Sequence, residues 1–328
     1  MMKFFKYIAV PLGLMVSANA FALKELNVAY FLEWPSANQV AQVEKTYDER
    51  MGLKVNWKSF DNGNQMVQAI AAGDIDIAYS NGFVPQVLGY TKGVKIKVVG
   101  VAMTYAENDN CVVHKDAGIT KKNAKKLEGK KVASPIGNVT HFKLLRTLKH
   151  LGVDAKKVKI LPSSNADASS ALARGDVAMA CGFGGSLVRM KQYGKVLMTG
   201  AEQEAIGLKV FDVVTVGSKF LKKHRKVVTQ FMQITEDANL AYNRYPARFY
   251  KTLSKASGMK MAGTIDTLNK FTFLTRAEQL TNDWMLGGIQ KFAKEVADFY
   301  VEQGEIPKAL SKAKYKKMVD ASILGEVK

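Results

Sequence analysis

The stretch "MVQAIAAGDIDIAYSNG", Met66 to Gly82, returns later as "ASSALARGDVAMACGFG", Ala168 to Gly184, at a constant offset. Each copy reads as a helix, a Gly-Asp turn, a short strand and a glycine-containing loop. Gly73 and Gly175 stand where each helix must stop, because glycine takes the left-handed conformation there without steric cost. Upstream, "VNWKSF" and "VKILPS" supply a matching strand before each helix. Helix, turn and strand align together, so the chain is expected to hold two similar α/β lobes.

The rest of the sequence fits around this echo. "LNVAYF", "SANQVAQVEKTYDERMG", "KVNWKSF", "NQMVQAIAAG" and "DIDIAYS" alternate strand and helix patterns. That alternation predicts parallel sheets with crossover helices. "DNCVVHKD" reads as the strand that leaves the first lobe, and "VFDVVTVG", Val210 to Gly217, as the strand that returns. After it, "KVVTQFMQITEDANLAYNRY" and "TNDWMLGGIQKFAKEVADFYVEQG" carry apolar residues at helical spacing, expected to pack on the first lobe. The expected fold is an α/β two-lobed clamshell with two crossover strands, closing on a ligand. Residues 23–110 with 213–328 form lobe 1, and residues 111–212 form lobe 2.

The N-terminus reads as an export signal. "MMKFFKYIAVPLGLMVSANAFA", residues 1–22, has Lys3 and Lys6, an apolar run, then small residues that fit a cleavage site. The run is too short to span a bilayer, and the expected location is the periplasm. The formal charge is +19, and losing Lys3 and Lys6 leaves +17. Basic runs such as "KKNAKKLEGKK" lack interleaved aromatics, which argues against nucleic acid; most of this charge reads as solvated surface. The two cysteines, Cys111 and Cys181, form no disulfide framework, and two free thiols are at least as consistent with their spacing as a bridge. No residue pattern suggests a metal or cofactor.

Ligands of open α/β sheets bind in the loops beyond strand ends. Glu33 and Trp34 end the first strand, and Pro35 fixes a turn there. A carboxylate beside an aromatic face suits an ammonium, quaternary ammonium or sulfonium group, with Tyr79 or Tyr105 completing an aromatic wall. The alternative is a Trp packed on the next helix. Ser80 and Asn81 can cap a helix and offer donors to a ligand. In "SPIGNVTHFKLLRTLKHLG", Asn138 or Thr140 can cap a helix whose free N–H groups favour an anion, and His141 is a further donor. In "CGFGG", Phe183 offers an apolar wall, and Asp212 in the returning strand is a possible carboxylate partner.

These pieces together resemble a family. "VNWKSFDNGNQMVQAIAAGDIDIAYSNG", "LEGKKVASPIGNVTHFKLLRTLKHLG", "RGDVAMACGFG" and "KVFDVVTVGSKF" are similar to the periplasmic binding proteins of taurine and alkanesulfonate ABC importers, within the nitrate, sulfonate and thiamine-precursor group. The resemblance implies a ligand between the lobes, its sulfonate on loop donors and helix ends and its amine on a carboxylate. It carries over Ser80, Asn81, Thr140 and His141 to the anionic end, and Asp212 to the family's hinge strand. Two departures stand out: "CGFGG" where relatives commonly have a Trp-Pro loop, and the Glu33-Trp34 pair. The expectation is therefore a monomeric, non-catalytic solute-binding protein that delivers a small zwitterion to a membrane ABC permease. Taurine, dimethylsulfoniopropionate and betaines are all candidates. The rivals are a clamshell-fold enzyme using Cys181 with a histidine, and a receptor that docks on a membrane sensor.

Overall fold

A computed structural model describes residues 23–328; the expected signal sequence lies outside the described residues. Two sheets carry the fold. The strands are β1 (Glu25–Tyr30), β2 (Lys54–Ser59), β3 (Ile77–Gly82), β4 (Ile96–Tyr105), β5 (Asp109–His114), β6 (Lys131–Ser134), β7 (Lys159–Pro162), β8 (Met179–Phe183), β9 (Gly194–Val196), β10 (Phe211–Gly217) and β11 (Phe271–Thr272). The first sheet runs β11-β4-β10-β3-β1-β2 and the second β7-β6-β8-β5-β9. The chain passes from the first sheet to the second between Tyr105 and Asp109, and back between Val196 and Phe211.

The echo in the sequence is an echo in space. The repeated strands β3 and β8 occupy matching central places, with β1 and β2 beside β3 and β6 and β7 beside β8. The helix before β3, Gly63–Ala72, is capped by Asn62, whose side chain accepts from the Gln65 amide at 3.1 Å. Its counterpart, Asn165–Ala173, is capped by Ser164 accepting from Asp167 at 3.1 Å. Gly73 and Gly175 end the two helices at φ +86° and +75°, in the left-handed region expected of them.

The sheets are mixed rather than parallel. β10 lies antiparallel between β3 and β4, and β5 lies antiparallel to β8 and β9. The reason is the lobe exchange. The strand that enters each sheet after a lobe change comes from the far end, so it runs against its neighbours. The alternation of helix and strand carries no trace of that reversal.

The C-terminal helices pack mainly on the first sheet. Helix Arg225–Arg244 buries Val228, Phe231 and Met232, with Phe231 stacked on Tyr47 at 4.7 Å. Helix Gly288–Glu302 also reaches across the cleft. Its Phe292 and Phe299 pack against Phe142 of helix Val139–His150, which belongs to the second half. One continuous apolar cluster therefore joins the two halves beside the cleft. Among the described residues no helix is long and apolar enough to cross a membrane.

Cys111 and Cys181 are bonded to each other. They face one another across the antiparallel pair β5–β8. Two free thiols, equally open from the spacing, are thus not what the fold makes of them. The register that brings them together exists only after the chain has folded back. Cys181 is then no free nucleophile, which removes the residue on which an enzyme reading rested.

Candidate functional site

The cleft between the sheets narrows to a small cavity lined from both sides. The first half supplies Phe31, Trp34, Gly63, Gly82, Tyr105 and Asp212. The second supplies Asp109, Asn138, Val139, Thr140 and Phe183. About 20 Å³ admits the centre of a water-sized sphere, room for about one water. The walls are therefore nearly in contact.

Two buried acids line the cavity. Asp212, on β10, is 1% exposed. Its Oδ1 accepts from the Tyr105 hydroxyl at 2.8 Å, and its Oδ2 accepts from Ser80 Oγ at 2.8 Å and Trp34 Nε1 at 3.0 Å. Burial pushes this carboxyl up to about 7, against the pull of its three donors. Asp109, at the start of β5, is 2% exposed. Its Oδ2 accepts from Thr140 Oγ1 at 2.8 Å, while Oδ1 has no partner among the described residues. Burial raises it to about 6, opposed by the Lys143 ammonium and the Thr140 hydroxyl. Lys143 is itself buried, donating to the backbone carbonyls of Ala106 and Asp109. Its ammonium is pushed down to about 8 by burial. An orphaned carboxylate oxygen in a cavity wall is costly unless something donates to it.

Helix N-termini line the same cavity, close beside the acids: Gly82 is the register partner of Asp212, and Thr140 bonds Asp109. Helices Gly63–Ala72, Phe83–Thr91 and Val139–His150 all begin at the cavity, through Gly63, Gly82 and Val139. The first N–H groups of a helix lack intrahelical acceptors and carry partial positive charge. Asn138 caps its helix by accepting from the His141 amide at 3.2 Å. Close approach requires glycine at Gly82, where a Cβ would fall 2.7 Å from Val139 Cγ2 across the cleft.

The sequence-proposed residues divide into two groups. Trp34, Tyr105, Asn138, Thr140, Phe183 and Asp212 come together on the cavity wall. Trp34 stands there with its ring enclosed edge-on by Tyr105, Phe183 and Phe271. It is 2% exposed, so its faces are spent on packing and its N–H on Asp212. Ser80 lies behind the wall, its hydroxyl turned to Asp212. Asn81 donates to the Gly63 carbonyl at 3.1 Å. Tyr79 is buried beside Phe231. His141 is neutral: burial pushes it down to about 4, and its Nδ1 accepts from the Gly137 amide at 3.3 Å.

Glu33 has a different partner from the one expected. Its carboxylate takes two bonds from Arg189, at 2.7 and 2.9 Å. Its carbonyl accepts from the Gly185 amide at 3.2 Å and its amide donates to Ser257. The residue holds φ +52°, a left-handed conformation costly for a side chain bearing a Cβ. Glu33 thus fastens one half of the molecule to the other at the cleft mouth. Asp109 escaped the sequence reading. The available signal was an acid at the start of an apolar strand, just after the lobe crossing.

A family described as "NMT1/THI5 like" matches residues 36–248. The chain belongs to this family. Among curated proteins, the taurine-binding periplasmic protein of Escherichia coli (strain K12) is 29% identical over 275 residues, 82% of this chain and 84% of that protein. Among solved structures, the alkanesulfonate-binding protein SsuA from Xanthomonas axonopodis pv. citri, bound to MOPS, superposes with a TM-score of 0.75 at 22% identity, covering 91% of this chain and 99% of that one. The fold is also shared by the desulfurization enzyme DSZB, at a TM-score of 0.65 and 13% identity, over 92% of this chain and 98% of that one. The first two of these are named as binding proteins, for taurine and for alkanesulfonates.

Proposed function

We propose that this protein captures a small zwitterion bearing a primary ammonium and a sulfonate, taurine being the type, and hands it to a membrane ABC permease. The unpartnered Asp109 Oδ1 carries the reading. It needs an N–H donor, which a primary ammonium has and a sulfonium or quaternary ammonium lacks. Asp212 is the second acceptor. The amides at the starts of helices Gly63–Ala72, Phe83–Thr91 and Val139–His150 take the sulfonate, with Asn138 capping the last of these helices and Thr140 orienting Asp109. Tyr105, Phe31 and Phe183 wall the linker between the two charges. Closure follows from differential affinity for the closed state, the halves moving about the crossings at residues 106–108 and 206–210. The signal pattern of residues 1–22 and the Cys111–Cys181 bond both suit an exported protein working in an oxidising compartment.

Dimethylsulfoniopropionate and betaines are the second reading, favoured by the aromatic wall and disfavoured by the enclosed faces of Trp34. A thermal-shift and calorimetric panel separates them. Taurine at about a hundred times its Kd should stabilise the protein by about 2.7 kcal/mol. Ethanesulfonate, with no amine, and dimethylsulfoniopropionate, with no N–H, should bind at least tenfold more weakly. Asp109→Asn should erase most of the preference for taurine over ethanesulfonate. Tighter binding of a methylated cation than of taurine would overturn this assignment.

A further inference from the structure

The second half of the molecule is much more basic at one end than function at the cleft requires. Two segments meet there, "KDAGITKKNAKKLEGKK" (residues 115–131) and "KHLGVDAKKVK" (residues 149–159). Together they hold eleven lysines against three carboxylates, Asp116, Glu128 and Asp154. The lysines are exposed. Three are ion-paired, Lys121 with Glu202, Lys149 with Glu302 and Lys157 with Glu128. The remaining eight have no acidic partner among the described residues.

The fold gathers these charges onto one pole. Lys131 and Lys159 sit side by side in register at the starts of β6 and β7. The Gly129 amide donates to the Lys157 carbonyl and the Lys159 amide to the Lys130 carbonyl. A shallow groove beside them is lined by His114, Lys130, Lys131 and Lys159, together with Asp116 and the Arg174–Asp176 ion pair. The cavity lies beyond the opposite ends of the same strands, where Asn138 and Val139 follow β6. A surface that engages this pole leaves the cleft mouth free.

We propose that this lysine pole rests on the anionic phospholipid headgroups of a membrane. The side-chain chemistry favours lipid over a protein partner. Packed protein interfaces are enriched in aromatic residues and arginine and depleted of lysine. Neither segment contains Phe, Tyr, Trp or Arg, and none of the exposed large apolar side chains falls in either. What remains is a field of mobile point charges on flexible stems. Such a field suits a diffuse anionic surface, where each lysine adds a further increment of attraction. Held this way, the protein samples the plane of the permease while its cleft still faces the solute.

The test is co-sedimentation of the full mature chain with vesicles of equal parts phosphatidylglycerol and phosphatidylcholine, against pure phosphatidylcholine. Binding is expected only to the anionic vesicles, weakening at least tenfold between 50 and 250 mM salt as the Debye length falls about twofold and many lysines are screened together. The variant Lys125→Glu/Lys126→Glu/Lys130→Glu/Lys131→Glu should lose at least tenfold in vesicle binding and keep its response to taurine. The control, Lys219→Glu/Lys222→Glu/Lys223→Glu/Lys226→Glu, changes net charge equally on exposed lysines of the other half and should lose less than threefold. Equal losses in the two variants would reduce the effect to net charge and overturn the proposal. So would equal binding to both vesicle types, or retention of the first variant on the anionic vesicles.

Discussion

Gly184→Ala tests whether ligand affinity depends on the contact between Glu33 and the loop after β8. A Cβ at Gly184 would fall 2.3 Å from the Glu33 carbonyl oxygen, a backbone atom that cannot swing aside. Ordinary contact needs roughly an ångström more, so the halves must part at this point. That separation breaks the Gly185 amide bond to Glu33, now 3.2 Å, and loosens the Arg189 pair at 2.7 and 2.9 Å. A neutral hydrogen bond contributes about 0.5–1.5 kcal/mol. The ion pair, roughly two-fifths exposed on both sides, contributes about 0.2–1 kcal/mol after solvent screening. The sum, about 0.7–2.5 kcal/mol, falls on the closed state alone and should raise the Kd for taurine about three- to seventyfold. Gly184 also holds φ +57°, so alanine there adds about 1–2 kcal/mol of fold instability. Calorimetry reads the affinity, and denaturant melts of the ligand-free protein read the fold. Small-angle scattering with saturating taurine should show a more open particle than the parent. An unchanged Kd in a folded variant would refute the idea that this contact stabilises closure.

Three further outcomes follow from the same geometry. Asp109 and Asp212 are raised to about 6 and about 7, and an ammonium favours their ionised forms. Taurine affinity should therefore climb as pH rises from 5 to 8, with protons released on binding near pH 6.5; a flat profile by calorimetry in two buffers would contradict a cation beside these acids. Asp212→Asn removes the charge but keeps the shape, and losing a charged hydrogen bond of about 1.5–3 kcal/mol should weaken taurine about ten- to hundredfold. Reducing the Cys111–Cys181 bond, which spans 70 residues, should cost about 4 kcal/mol of stability by loop entropy, as an upper value; urea melts with and without reductant measure it, and coincident curves would show the bond to be dispensable.

Local signals in the sequence were reliable where the structure is local. The repeated helix-turn-strand located both central strands, and Gly73 and Gly175 end their helices in the left-handed conformation their positions called for. The capping potential of Asn138 is realised at the cavity wall. What required long-range pairing was hidden. Glu33 meets Arg189 across 156 positions, and nothing in "FLEWPSANQ" points to that guanidinium. Trp34 was legible as a wall residue but not as an enclosed one, because Phe271 and Phe183 reach it from distant segments. The disulfide depends on β5 running antiparallel to β8. Asp109 was passed over because an acid opening a strand usually faces solvent. Here the strand starts at the crossing between lobes, the one place where its first residue looks into the cleft.

The two buried acids have a shared origin in the fold. Asp212 sits on the antiparallel strand of the first sheet, opposite Gly82 at the end of β3. Asp109 sits on the antiparallel strand of the second, opposite Phe183 at the end of β8. Each half of the duplicated architecture thus brings one carboxylate to the seam, and the Asp109 charge makes Asp212 harder to ionise. Once both are ionised their like charges oppose bringing the halves together, an opposition only partly offset by the Lys143 ammonium beside Asp109. On the proposed reading, a ligand ammonium placed between them turns that opposition into a clasp.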